Sequence, residues 1–276
     1  MSASIGILTC YLGQWPWYFP YFLHSCRFNP TIDFILITDN QSAGYAIPDN
    51  VHIVFSNLEA IRANARKKLG FSVAIEDAYK LCDFKPAFGL LFSEELHHYD
   101  FWGHGDIDMI YGDIRSFVTD EITDNYDVIA VRNEYITGFF SLFRNKALFN
   151  TLFQNSRDYP AVLQTTGYLG FDECSLLAGA LSAGHVLEDL PAEIDSMTHI
   201  VKRLHNGGVI RAYFDHHVVE SIPGDLLWDN GRLLFKNEYE ALLYHLNSFK
   251  VHSLLQIPEW PEVPDRFFIN EFSFSK

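Results

Sequence analysis

Hydrophobic and polar positions along this chain fall into blocks that predict a succession of strands and helices. The apolar run IGILTCYL near the N-terminus predicts a buried strand, and GQWPWYFPYFLHSC a loop entering a helix. IDFILITDN predicts a second strand ending on polar Thr38, Asp39 and Asn40, and VHIVFS a third. NLEAIRANARKKLG has helical spacing, with Asn57 placed as its cap and Gly70 just past its end. Residues 74–81 read as helical, and Pro86 suits the first turn of a helix through PAFGLLFSEELHHY. YDFWGHGDID, DVIAV and GFFSLFRN predict further strands. NKALFNTLFQNSRDY, capped by Asn145, and DECSLLAGALSAGH read as helices. The remainder offers GVIRAYFDHHVVES, a hairpin-like LLWDNGRLLF, a helical NEYEALLYHLNSFK and a proline- and aromatic-rich end.

Strands alternating with helices predict an α/β fold, a mostly parallel sheet flanked by helices. Ligands of such sheets bind in the crevice outside the carboxyl ends of the strands. LITDN and WGHGDID both close a strand on polar residues, which puts both clusters on one rim. There is no internal repeat and no low-complexity linker, so residues 1–276 read as a single domain.

Composition narrows the functional classes. The chain is 48% hydrophobic and 20% charged, enough for a sizeable core. A net charge of −15 argues against nucleic acid as a partner and against docking on an anionic membrane. The four cysteines form no C-x-x-C and match no zinc spacing, so they read as reduced core thiols. The N-terminal residues lack the basic segment of a signal peptide, and no apolar run is long enough to span a membrane. A cytoplasmic location is the expectation.

The candidate chemistry lies in YDFWGHGDIDMIYGDI. Asp106 and Asp108 stand two apart at the end of an apolar strand. Alternate residues of an extended segment share a face, so the two carboxylates point the same way and His104 can join them. Paired carboxylates on a strand rim form a hard oxygen site suited to Mg²⁺ or Mn²⁺. The competing reading is an Asx-type turn in which an aspartate accepts backbone amides.

With CYLGQWPWYFPYFLHSC, YKLCDFKPAFG, DFWGHGDIDMIYGD and GFDE in this order, the chain resembles a GT-A-fold (Rossmann-like) glycosyltransferase. It is most similar to a little-characterised bacterial family, and more distantly to the family of glycogenin and lipooligosaccharide galactosyltransferases. The resemblance implies a nucleotide-binding half of about residues 1–115 and a smaller acceptor-side, metal-closing half of about residues 116–276. It implies that Asp106 and Asp108 bind a divalent metal, Mn²⁺ or Mg²⁺, that grips the diphosphate of a nucleotide sugar.

Other residues take roles from the same resemblance. Tyr11 is a candidate base-stacking ring, with ordinary packing as the alternative. Asp39 is a candidate partner of uracil or ribose, or a plain turn aspartate. Lys80, Asp83 and Lys85 are candidates for the diphosphate and donor sugar, although Lys80 and Asp83 at i, i+3 can simply pair. Asp172 and Glu173 would stand near the transferred sugar; Asp172 is also placed to cap the helix after it. His245 would complete the metal site and Lys250 bind the diphosphate. These two are five residues apart, where the distant relatives have six. A helix C-terminus is the other reading of His245, and His216 and His217 compete for the ligand role.

The implied reaction is transfer from a nucleotide sugar, a UDP-sugar first, to a hydroxyl of a glycan or related acceptor in surface polysaccharide biosynthesis. The resemblance leans towards retention of configuration. Two alternatives stand beside it: a metal-dependent phosphoesterase, and a non-catalytic glycan-binding or scaffold protein on the same fold.

Overall fold

A computed structural model describes residues 2–41 and 44–276. The strands are β1 (Ile5–Cys10), β2 (Ile32–Thr38), β3 (Val51–Phe55), β4 (Phe101–Gly105), β5 (Met109–Tyr111), β6 (Val128–Ala130), β7 (Phe140–Arg144), β8 (Ala212–Phe214), β9 (Val218–Glu220), β10 (Leu226–Asp229), β11 (Arg232–Phe235), β12 (Tyr239–Ala241), β13 (Leu243–His245), β14 (Arg266–Ile269) and β15 (Phe274–Ser275). Seven form a mixed, mostly parallel sheet in the order β3-β2-β1-β4-β7-β6-β8. Only β7 runs antiparallel to its neighbours β4 and β6. The sheet draws strands from both sides of residue 115.

The sequence explains the centre of this sheet. β1, β2 and β4 are almost wholly apolar because helices cover both faces. On one face Phe19–Arg27 buries Phe19, Phe22 and Leu23. On the other, Leu58–Leu69 buries Ile61 and Ala65. Asn57 caps the latter helix by accepting the Ala60 N–H, and Gly70 ends it in the left-handed region.

Several predicted helices are not present. PAFGLLFSEELHHY breaks into the short turns Phe88–Leu91 and Ser93–Leu96, after a 3₁₀ stretch over Tyr79–Ala87. Asn145 caps nothing; its side chain donates to the Leu96 and Tyr99 carbonyls. NEYEALLYHLNSFK forms β12 and β13, not a helix. Its apolar residues fit either period. The strand prevails because β13 is the shared partner of β5 and β9, whose buried backbone groups need one. DECSLLAGALSAGH keeps only Ala178–Ser182 helical. Ser175 and Leu176 hold φ of 57° and 62°, which no helix accommodates.

Two smaller sheets complete the C-terminal part: β5-β13-β9, and β12-β11-β10-β14-β15. Phe267 and Phe274 of the tail are buried against Tyr21, on the helix after β1.

Candidate functional site

The strand order reverses at β1. β2 and β3 lie to one side of it and β4 to the other, so a crevice opens beyond the carboxyl ends of β1 and β4. An open cleft of about 590 Å³ lies there. Cys10 and Tyr11 line it at the end of β1, and Asp106 to Asp108 from the segment after β4.

After Gly105 the chain leaves the sheet and bends through Ile107 and Asp108. The Asp106 N–H donates to the Phe139 carbonyl, and the Asp108 carbonyl accepts the Leu246 N–H. Oxygens of Asp106 and Asp108 and a ring nitrogen of His245 lie within 4.8 Å of one another. His245 reaches this position from the middle of a three-stranded sheet, not from a helix end. Its Nε2 is 3.4 Å from Asp108 Oδ2, and its Nδ1 is 3.3 Å from Glu220 Oε1. Burial alone would lower its pKa, but the Asp108 and Glu220 carboxylates raise it to about 9. Burial opposes ionisation of Asp108 too, yet His245 and Lys250 hold its carboxyl well below the usual range.

Two lysines flank the cluster. Lys250 Nζ meets Asp108 Oδ2. Lys85 Nζ sits 2.5 Å from Asp106 Oδ1 and 3.9 Å from Asp172 Oδ2, and donates to the Gly138 carbonyl at 2.9 Å. Burial penalises the Lys85 cation, but Asp106 outweighs this and keeps it protonated. Asp172 and Glu173 stand deeper in the cleft. Asp172 accepts from the Tyr168 hydroxyl at 3.0 Å, and Glu173 from the Gly138 N–H at 2.9 Å. Asp172 therefore turns inward instead of capping a helix. Desolvation pushes both carboxyls upward.

The remaining candidates separate. Tyr11 lines the cleft, and its ring stacks on Trp15, which stacks in turn on Phe19. Asp39 is exposed beside the cleft but is not part of its lining; it accepts the Gly13 N–H at 2.8 Å and so fixes the loop after Tyr11. Lys80 and Asp83 are not cleft residues. They form a buried pair beneath it, because a loop with several inward-facing backbone groups needs both charges. His104 does not join the aspartates. It is fully buried, with Nδ1 3.0 Å from the Gly138 carbonyl, and desolvation lowers its pKa to about 3. His217 lies against Asp215 and Phe117. Neither it nor His216 is part of the Asp106–Asp108–His245 group.

Glu220, Gly138 and Tyr168 are the site residues that the sequence did not mark. Gly138 is the hub: its carbonyl receives Lys85 and His104, its N–H serves Glu173, and a Cβ built on it meets Asp172 Oδ2.

Comparison with family profiles matches residues 7–275 to the family described as "Family of unknown function (DUF6625)". The chain belongs to that family. No curated protein matches it. Among the described residues, no helix is long and apolar enough to cross a membrane.

Proposed function

We propose that this member of DUF6625 is a metal-dependent glycosyltransferase of GT-A architecture. It transfers a sugar from a nucleoside-diphosphate donor, a UDP-sugar first, to a hydroxyl of a glycan acceptor in the cytoplasm, in the assembly of surface polysaccharide. The observation that carries this reading is the convergence of Asp106, Asp108 and His245, with Lys85 and Lys250 beside them, in the crevice where β1 and β4 end. Two carboxylates and an imidazole are a donor set that suits Mn²⁺ and also accepts Mg²⁺.

A cation held by these three residues would offset the charge developing on the diphosphate leaving group. The chain's own groups provide the rest. Lys250 is about one-third exposed and within reach of a phosphate oxygen in the cleft. Lys85 fixes Asp106 and adds positive charge on the same side. Tyr11 presents a ring face for the base, backed by Trp15. Asp172 and Glu173 are positioned to accept from sugar hydroxyls. What weighs against a two-metal phosphoesterase is Lys85, because its ammonium already lies between Asp106 and Asp172, where a second cation would have to bind.

Titration calorimetry with UDP-, GDP- and CMP-sugars, each with and without Mn²⁺, tests the proposal. UDP binding that requires Mn²⁺ and disappears in Asp106→Ala and Asp108→Ala is the expected result. Unchanged Mn²⁺-dependent UDP affinity in both variants would refute the metal assignment. Metal-dependent binding with no turnover on any acceptor would favour the scaffold reading.

A further inference from the structure

The three strands that carry the cluster meet on one rung. His245 in β13 is paired with Met109 of β5 on one side and with Glu220 of β9 on the other. Met109 directly follows Asp108, so a single line of backbone pairing aligns an aspartate ligand, the histidine and the glutamate.

The side chains continue this alignment. His245 directs Nε2 towards Asp108 and Nδ1 towards Glu220. The Phe139 ring packs against the imidazole, with centroids 4.4 Å apart. The other Glu220 oxygen is 2.6 Å from Arg132 Nη1, and the Arg132 guanidinium lies over the Tyr135 ring. Each of these contacts removes a freedom from the imidazole or from the carboxylate that holds it.

The chemistry of imidazole gives the arrangement a purpose. One ring nitrogen binds a metal only when its lone pair is free, and the proton then resides on the other. A carboxylate on that second nitrogen selects the tautomer, fixes the ring plane and makes the ligating nitrogen more basic. Glu220 is on the correct nitrogen. It is four-fifths buried, a costly position for a carboxylate unless a charge compensates it, and Arg132 does so.

We propose that Glu220, held by Arg132, is a positioning residue of the metal centre: it accepts the Nδ1–H of His245 and keeps Nε2 facing Asp108 and the cation. The inference rests on the metal reading above and adds to it a second layer of support drawn from β9.

The test is direct Mn²⁺ binding to the nucleotide-free protein, followed by the electron paramagnetic resonance of free Mn²⁺. Glu220→Gln is nearly the same shape and can still accept from Arg132. It is expected to weaken Mn²⁺ by about 10- to 100-fold. Pulsed measurements should find ¹⁴N coupling from one imidazole in the wild type, none in His245→Ala, and a reduced or altered coupling in Glu220→Gln. A purely structural Glu220 would not change that coupling. Wild-type Mn²⁺ affinity and nitrogen coupling in Glu220→Gln would overturn the inference and leave the metal reading intact. A wild-type protein that binds no Mn²⁺ would end both. If Glu220→Gln fails to fold, Glu220→Asp supplies the comparison: its shorter reach must also weaken the metal, and unaltered affinity refutes the role.

Discussion

Lys80 Nζ lies 2.8 Å from Asp83 Oδ2, and both side chains are closed to solvent. The pair acts on the loop beyond it. Lys80 donates to the Val162 and Gly167 carbonyls, and Asp83 accepts the Leu169 and Phe171 N–H groups. The residue after Phe171 is Asp172, so this buried ion pair sets the depth at which the acidic pair enters the cleft.

Breaking it should cost stability. Asp83→Ala leaves an uncompensated buried ammonium and takes the charged acceptor from the Leu169 and Phe171 N–H groups. A loss of about 3–5 kcal/mol in urea unfolding is expected. A variant of wild-type stability that loses only nucleotide binding would assign Asp83 to the ligand instead.

Lys250 should behave in the opposite way. Its ammonium is partly exposed and contacts Asp108 only at its tip. Lys250→Met should fold normally and lose about 1.5–3 kcal/mol of UDP affinity in the presence of Mn²⁺, the usual worth of a hydrogen bond to a charged group. Calorimetry decides the matter; unchanged UDP affinity would remove Lys250 from the phosphate site.

Gly138 admits no side chain. A Cβ at this position meets the Asp172 carboxylate and falls 3.2 Å from Glu173 Cγ. Gly138→Ala should therefore displace both acids at a stability cost of about 1–3 kcal/mol, with a fall in turnover larger than that in donor affinity. Thermal melting read alongside steady-state kinetics distinguishes this from general unfolding.

His24 supplies a pH dependence away from the cleft. Its ring is buried against Trp228 and Phe28, and desolvation, with Arg27 nearby, lowers its pKa from 6.5 to about 4 despite Asp265. A depressed value means that the unfolded chain takes up the proton first. The contribution is complete above pH 6.5 and is lost as pH falls towards 4, by about 1.4 kcal/mol per pH unit. His24→Gln should flatten stability across that window; a slope equal to wild type would show that the ring is already charged in the folded protein.

The sheet and the aspartates were legible in the sequence because both depend on local patterns. An unbroken apolar strand fixes its own burial, and a carboxylate pair at its polar end fixes the rim. His245 and Lys250 could be named as residues, but β13 could not be distinguished from a helix, since Leu242, Leu243 and Leu246 satisfy both periods. Glu220 left no local trace. Its role arises from its register with His245, a pairing between distant segments that no spacing along the chain encodes. The same holds for Lys80 and Asp83, whose i, i+3 spacing is common to surface pairs and cleft ligands, while their burial is set by the loop folded over them.

The rung Met109–His245–Glu220 also bears on when the site can exist. Met109 lies far along the chain from Glu220 and His245, and β13 is the strand that joins the other two. Pairings of this kind form late, after the entropy of closing long loops has been overcome. During synthesis the aspartates leave the ribosome well before His245, so the nascent protein can fold its N-terminal strands while still unable to hold a cation. On the proposed metal reading, loading would then be a late checkpoint of folding, reached only by chains in which β13 has paired with β5.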